Sequence, residues 1–157
     1  MARHGLSEIE GFDDVGDILS YGRWRGAVAS ILRGKRGQAF LRELLRALDA
    51  LPMPRLISGE LEDCNGEVCA LGAVGRVRGL QMAEIDIEDY EQVATAFFVH
   101  EKLAQEVMFI NDEWGYKPNS VPGMEHRFRV VRDWVLKNIR SKGHLVQVAS
   151  QSQTEPK

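Results

Sequence analysis

Apolar residues recur every three or four positions in the first third of the chain, a spacing typical of amphipathic helices. A first helix is predicted to begin near Asp17, whose carboxylate can accept hydrogen bonds from first-turn amides, and to stop at Gly34. A second helix is predicted over about residues 38–51, because Pro52 and Pro54 cannot continue it. Since few residues link the two helices, they should form an antiparallel hairpin.

The next segment carries the sequence signal for β-structure. Asn65-Gly66 readily adopts the positive φ values of a tight turn, and residues 56–62 and 67–71 flank it as candidate strands. The chain then becomes rich in alanine and glycine, residues that suit close backbone contact, and a short helix should start near Cys69. The sequence therefore predicts one small β-hairpin followed by a short helix of small residues.

Two longer helices are predicted in the second half of the chain. Asp89 can cap a long central helix that runs through a continuous apolar stripe to about Asn111. Gly115 and two prolines predict a loop over residues 114–122, and a closing helix should occupy about residues 121–140. The predicted fold class is α+β, mostly α: a helical hairpin, one small β-hairpin, a short small-residue helix, a long central helix and a closing helix.

Length and composition indicate one globular domain in a chain of 157 residues. That domain is predicted over residues 17–142, after a polar segment at 1–16 and before a tail at 143–157, whose polar composition predicts disorder. No apolar stretch approaches the roughly 20 residues that cross a bilayer, and the acidic N-terminus is unlike a secretion signal. We therefore expect a cytoplasmic protein that does not enter a membrane.

Charge is distributed unevenly along the chain. Residues 21–56 contain eight lysines and arginines against two acids, whereas residues 57–125 contain four against fourteen acids. Four of these basic residues surround the predicted turn of the helical hairpin and form a candidate binding surface: Arg33, Lys35, Arg36 and Arg42. Such a cluster can contact phosphates, but arginines on a polar helix face also commonly only solvate it. A net charge of -3 argues against a dedicated duplex binder.

A second candidate surface is acidic. Glu84, Asp86 and Glu88 could steer the approach of a basic partner. Acids also gather where helices begin, because they complement the helix dipole, so a purely structural role stays open. Taken together, the two surfaces favour a macromolecular partner, and a protein more than a nucleic acid.

The order Cys69, His100 and Asp112, with Asn111 beside the last, is the order found in many cysteine hydrolases. A helix N-terminus would lower the pKa of the thiol. However, His100 and Asn111 would lie about 16 Å apart along one predicted helix, too far for Asn111 to orient the imidazole. The alternative is that Cys69 is a buried packing residue. The cysteines and histidines lack metal-ligand spacing and no nucleotide-binding motif is present, so neither a metal nor a cofactor is expected.

Four stretches of the sequence resemble small proteins encoded by phages and prophages for which no activity is established. They are WRGAV from Trp24, RGKRGQAFLREL from Arg33, and the pair CALGAV from Cys69 and NDE from Asn111. The resemblance covers about residues 20–140 and implies a phage or bacterial accessory protein. Such proteins often act by binding a host or phage macromolecule. We therefore expect a non-enzymatic binder, for example one that modulates host defence, with a cysteine hydrolase as the alternative and a structural or assembly subunit as a third hypothesis.

Overall fold

The structure is a computed structural model that describes residues 15–114 and 117–141. In chain order its α-helices are α1 (Val15–Arg33), α2 (Lys35–Asp49), α3 (Ala70–Arg78), α4 (Tyr90–Phe97), α5 (Glu101–Asp112) and α6 (Val121–Asn138). A short 3-10 turn, Met82–Glu84, lies before α4. Helix α2 packs against α1, α3 and α6, and α5 packs against α1, α3, α4 and α6. These two helices supply the centre of the core, with Leu41, Leu44, Leu103 and Val107 almost fully buried.

A sharp elbow joins α1 to α2. One residue, Gly34, separates the two helices, and α2 begins at Lys35 rather than near residue 38 as predicted. The backbone there is tightly packed, since a Cβ atom on Gly37 would lie 2.0 Å from the carbonyl oxygen of Ile31. Any larger residue at this position would force the helices apart.

The predicted α+β class is wrong, because the described residues contain no strand or sheet; the mostly helical character is confirmed. The Asn65-Gly66 turn does form, with a φ of 77° at Gly66, but around it the described chain has an isolated antiparallel bridge, Glu62 to Val68. The Asp63 side chain accepts hydrogen bonds from the backbone amides of Asn65, at 2.9 Å, and Glu67, at 3.0 Å. These amides are donors that a strand ladder would use.

The backbone of this segment forms hydrogen bonds both within the segment and with a distant helix. The Leu56 amide donates to the carbonyl of Met124 in α6, and the Cys69 amide donates to the carbonyl of Leu61. The apolar side chains of this segment are buried in the core without forming a sheet. Several of its buried backbone groups are therefore paired in an irregular chain, which the alternation of residues could not reveal.

The predicted long central helix is also wrong, because it is divided into α4 and α5. Helix α4 ends at Phe97, and Phe98 adopts the left-handed conformation with φ 54° and ψ 41°. His100 then begins α5 as its N-cap, its Nδ1 accepting the Lys102 amide at 3.1 Å. The apolar period continues across this break because both helices cover the same core, so periodicity alone could not locate it.

Residues 1–14 of the predicted polar segment 1–16 lie outside the described residues, and so does the whole predicted tail 143–157. Among the described residues, no helix is both long enough and apolar enough to cross a membrane.

Asn111, near the end of α5, ties three parts of the fold together. Its side-chain oxygen accepts the amide of Ala70 at 2.9 Å, and its side-chain nitrogen donates to the carbonyl of Ile57, also at 2.9 Å. The same nitrogen donates to Asp112 at 2.7 Å. Asn111 is 3% exposed, so water cannot easily replace these partners. The CALGA and ND stretches are therefore joined by the side-chain amide of Asn111, which contacts Ala70.

We expect Asn111→Ala to lower the free energy of unfolding by about 3 kcal/mol, because it leaves a buried amide and a buried carbonyl without partners. Urea denaturation measures this change. Asn138→Ala is the matched control: the Asn138 side chain donates one hydrogen bond, to Trp134 in its own helix, and its loss should cost about 1 kcal/mol or less. Equal losses in the two variants would contradict the bridging role.

Candidate functional site

Cys69 lies in the interior of the protein. It is 4% exposed and forms the N-cap of α3, where its sulfur accepts the Gly72 amide at 3.3 Å. Burial raises the pKa of the thiol to about 12, which outweighs the lowering effect of the Gly72 hydrogen bond. The thiol is therefore protonated at neutral pH, whereas a nucleophilic cysteine requires the thiolate.

The structure does not bring together Cys69 and His100. The Ala70 amide, adjacent to Cys69, contacts Asn111 near the C-terminus of α5, while His100 caps the N-terminus of the same helix. About 1.5 Å of rise per residue separates these two ends by roughly 16 Å. Asp112, the third residue of the hydrolase hypothesis, is buried beside Asn111. The geometry gives the cysteine hydrolase no support.

The raised pKa of Cys69 predicts a pH dependence of stability. In the unfolded chain the thiol ionises near its ordinary value of 9.0, but in the folded protein it ionises near 12. Its contribution to stability is thus complete below about pH 9 and is lost as the pH rises through this interval. At about pH 10 the loss should be about 1.4 kcal/mol.

Cys69→Ser is the appropriate comparison, because serine can cap the helix but does not ionise. Between about pH 7 and about pH 10, the unfolding free energy of the wild type should fall about 1.4 kcal/mol further than that of the variant. Urea denaturation under reducing conditions measures both. Parallel pH profiles would show that the Cys69 thiol ionises equally easily in the folded and unfolded protein.

The acidic candidates lie just before α4. Glu84, Asp86 and Glu88 are all exposed, and a shallow depression of about 480 Å³ is lined partly by Glu84. Asp86 also has a local structural role, since its carboxylate accepts the Glu88 amide at 2.9 Å. The nearby Asp89 caps α4 by accepting the Gln92 amide at 3.1 Å. This region is acidic and open, but part of its charge stabilises the chain around the start of α4.

The basic candidates divide into two groups. Arg33, Lys35 and Arg36 are exposed around the elbow between α1 and α2. Arg42 lies further along α2, away from the elbow. Its guanidinium donates to the carbonyl of Arg140, at 3.0 Å, where the chain leaves α6. Arg42 therefore joins α2 to the end of the described chain, whereas the other three cations remain together at the elbow.

An apolar groove lies between this elbow and the junction of α4 with α5. We call it the Phe98 groove. Its volume is about 340 Å³, and its lining combines apolar and basic groups from both sides: Ile31, Gly34, Lys35, Arg36, Gly37, Phe98, Val99, His100 and Leu103. Arg36 connects the two sides by donating to the carbonyl of Phe98 at 3.3 Å. Residues more than 60 positions apart in the sequence thus form one concave surface.

Phe98 is unusual in both its exposure and its backbone. Its side chain is 78% exposed, and its positive φ is a conformation that bulky residues rarely adopt. The helix end it forms is stabilised by two hydrogen bonds, from the Phe98 amide to Thr95 and from the Val99 amide to Ala94. This pattern normally has glycine at the left-handed position.

Helix α3 ends in the same way and provides an internal comparison. Gly79 has φ 68°, its amide donates to Arg76, and the amide of Leu80 donates to Gly75. The same chain therefore uses glycine at one such helix end and phenylalanine at the other. Neither core packing nor backbone geometry explains the aromatic side chain of Phe98, and strained residues of this kind concentrate at functional sites.

The electrostatics of the Phe98 groove favour a negatively charged ligand. Lys35 and Arg36 lie on its rim, and α2 begins there without a side-chain cap on its amides. His100 also lines the groove, and its Nδ1 accepts the Lys102 amide. Glu101, in the first turn of α5, partly offsets this positive charge.

Sequence reasoning identified the basic residues of this site but missed Phe98. One signal was present: on the predicted long helix, Phe98 falls opposite the stripe formed by Val93 and Val107, so a large aromatic residue would face solvent. The helix break that gives the side chain its position could not be found in this way.

We expect Phe98→Gly to raise the free energy of unfolding by about 1 kcal/mol, because glycine adopts the left-handed conformation without strain. Gly79→Ala should have the opposite effect, a loss of about 1 kcal/mol, since a Cβ atom there meets no neighbour and adds only backbone strain. Urea denaturation measures both changes. A destabilised Phe98→Gly protein would mean that this side chain is kept for packing.

Comparisons with protein-family models, curated proteins and solved structures found no match to this chain. In the part of the chain that the structure describes, no group of three or more His, Cys, Asp or Glu side chains could hold a metal ion.

Proposed function

We propose that this protein is a non-enzymatic binding protein that acts inside the cell and contacts a macromolecular partner through the Phe98 groove. The observation that carries this proposal is Phe98 itself, an exposed aromatic side chain held at a backbone position that favours glycine. Exposed aromatic residues contribute strongly to binding when a partner covers them.

The arrangement around Phe98 supports the same conclusion. Apolar side chains form the floor of the groove and cations form its rim, as in interfaces that have an apolar centre and a polar border. The resemblance to phage and prophage proteins suggests the setting: an accessory protein that binds a host or phage macromolecule, for example in modulating host defence.

A structural or assembly subunit is a second candidate, and the outer face of α1 favours it. Ile18 and Leu19 are 53% and 55% exposed, and Cβ atoms added to Gly22 and Gly26 would meet nothing within 4 Å. These four residues share one face of the helix, so a second helix could approach it closely. A mass that increases with concentration in light scattering would distinguish this candidate.

Affinity capture of the tagged protein from infected or lysogenic bacterial cells, followed by mass spectrometry, tests the binding proposal. A stoichiometric partner should be recovered with the wild type and reduced about tenfold or more with Phe98→Gly, because hot-spot aromatic residues contribute about 2 kcal/mol or more. Since this variant is expected to be more stable than the wild type, its loss of binding could not result from unfolding.

Glu84→Lys combined with Glu88→Lys is the matched control for this capture, because it changes an exposed surface at the other end of α4. The partner should still be recovered with this variant. Loss of the partner with the acidic-surface variant and retention with Phe98→Gly would contradict the proposal and transfer binding to the acidic surface.

A further inference from the structure

Building on the proposed function, we infer that the occupant of the Phe98 groove is an acidic peptide segment of a partner protein, in which one large apolar side chain is flanked by Asp or Glu. The apolar floor would receive the side chain, and the cations of the elbow would contact the carboxylates.

The size and lining of the groove suit one side chain with its adjoining backbone. Its volume of about 340 Å³ lies at the small end of the roughly 300–1,000 Å³ found for ligand pockets. Ile31, Val99 and Leu103 provide apolar contact, and the exposed ring of Phe98 forms one wall. An apolar residue entering this space would bury its own surface and part of the Phe98 ring, which is the main source of binding free energy.

The charges around the groove select an acidic ligand. Lys35 and Arg36 line the rim, and Arg33 is exposed at the end of α1, one residue before Gly34. Arg36 uses one donor on the carbonyl of Phe98, which leaves the rest of its guanidinium available to a carboxylate. Glu101, in the first turn of α5, contributes one negative charge, which opposes the three positive charges of the elbow. A peptide with two or more carboxylates would therefore be attracted on approach.

A peptide fits these observations better than a nucleic acid. Three clustered cations would meet only a few phosphates, and the chain as a whole has a net charge of -3, which repels a long polyanion. The groove is also concave and largely apolar, whereas single-stranded nucleic acids bind along extended positively charged channels with several stacking platforms.

Selection from a phage-displayed library of random dodecapeptides tests this inference. Clones that bind the wild type are retained, and clones that also bind Phe98→Gly are removed. The surviving peptides should carry Asp or Glu on both sides of one large apolar residue. A synthetic peptide of this sequence should bind the wild type in fluorescence anisotropy, and its affinity should decrease as salt increases.

Variants of the elbow separate charge from shape. Lys35→Glu combined with Arg36→Glu should weaken the synthetic peptide about tenfold or more, since close charge pairs across interfaces are worth about 1.5 kcal/mol or more. Lys35→Arg keeps the charge and should bind about as well as the wild type. An oligothymidine strand, used as a competitor, should not displace the peptide.

Several outcomes would overturn the inference. Groove-dependent peptides without acidic residues would reject an acidic partner but leave the binding function of the groove intact. Displacement by oligothymidine would assign the groove to single-stranded nucleic acid instead. Failure to select any groove-dependent peptide rejects the peptide ligand, and the proposed function falls with it only if the capture experiment also finds no partner that depends on Phe98.

Discussion

The buried amide of Asn111 is the contact on which the arrangement of the molecule most depends. It pairs with the start of α3 and with the irregular segment at Ile57, two parts of the chain that otherwise have little regular hydrogen bonding to α5. A buried asparagine with satisfied partners fixes the relative position of backbone segments, because every alternative arrangement leaves polar groups without partners. The location of Cys69 follows from it: α3 begins against the C-terminal end of α5, and the thiol lies in the interior.

The opposite end of α5 has a different character. There the chain leaves α4 through Phe98, a strained backbone position with an exposed aromatic side chain, and restarts at His100. The elbow between α1 and α2 lies against this junction, and Arg36 joins the two. One helix therefore has a structural end, where polar groups are buried and satisfied, and a surface end, where apolar and basic groups are left accessible. This division separates what stabilises the fold from what is available to a partner.

The charge pattern of the sequence anticipated part of this surface. Arg33, Lys35 and Arg36 remain exposed at the elbow, as their position beside Gly34 predicted, because an elbow between helices projects its side chains toward solvent. Arg42, placed in the same group by the sequence, instead contacts the carbonyl of Arg140. Proximity along the chain could not distinguish them, since the partner of Arg42 is almost a hundred residues away.

The sequence by itself determined that most of the chain is helical, that Asp89 caps a helix and that a short helix starts near Cys69, because side-chain periodicity and capping are local properties of the chain. Only the tertiary structure decided that the segment around Asn65-Gly66 has an isolated bridge, Glu62 to Val68, and no described sheet, and that the Leu56 amide beside it donates to Met124 in α6. It likewise decided that the long helix breaks at Phe98 and that this break faces the elbow. The partner of Leu56 and the contact between the break and the elbow lie far away along the chain, so local patterns do not encode them.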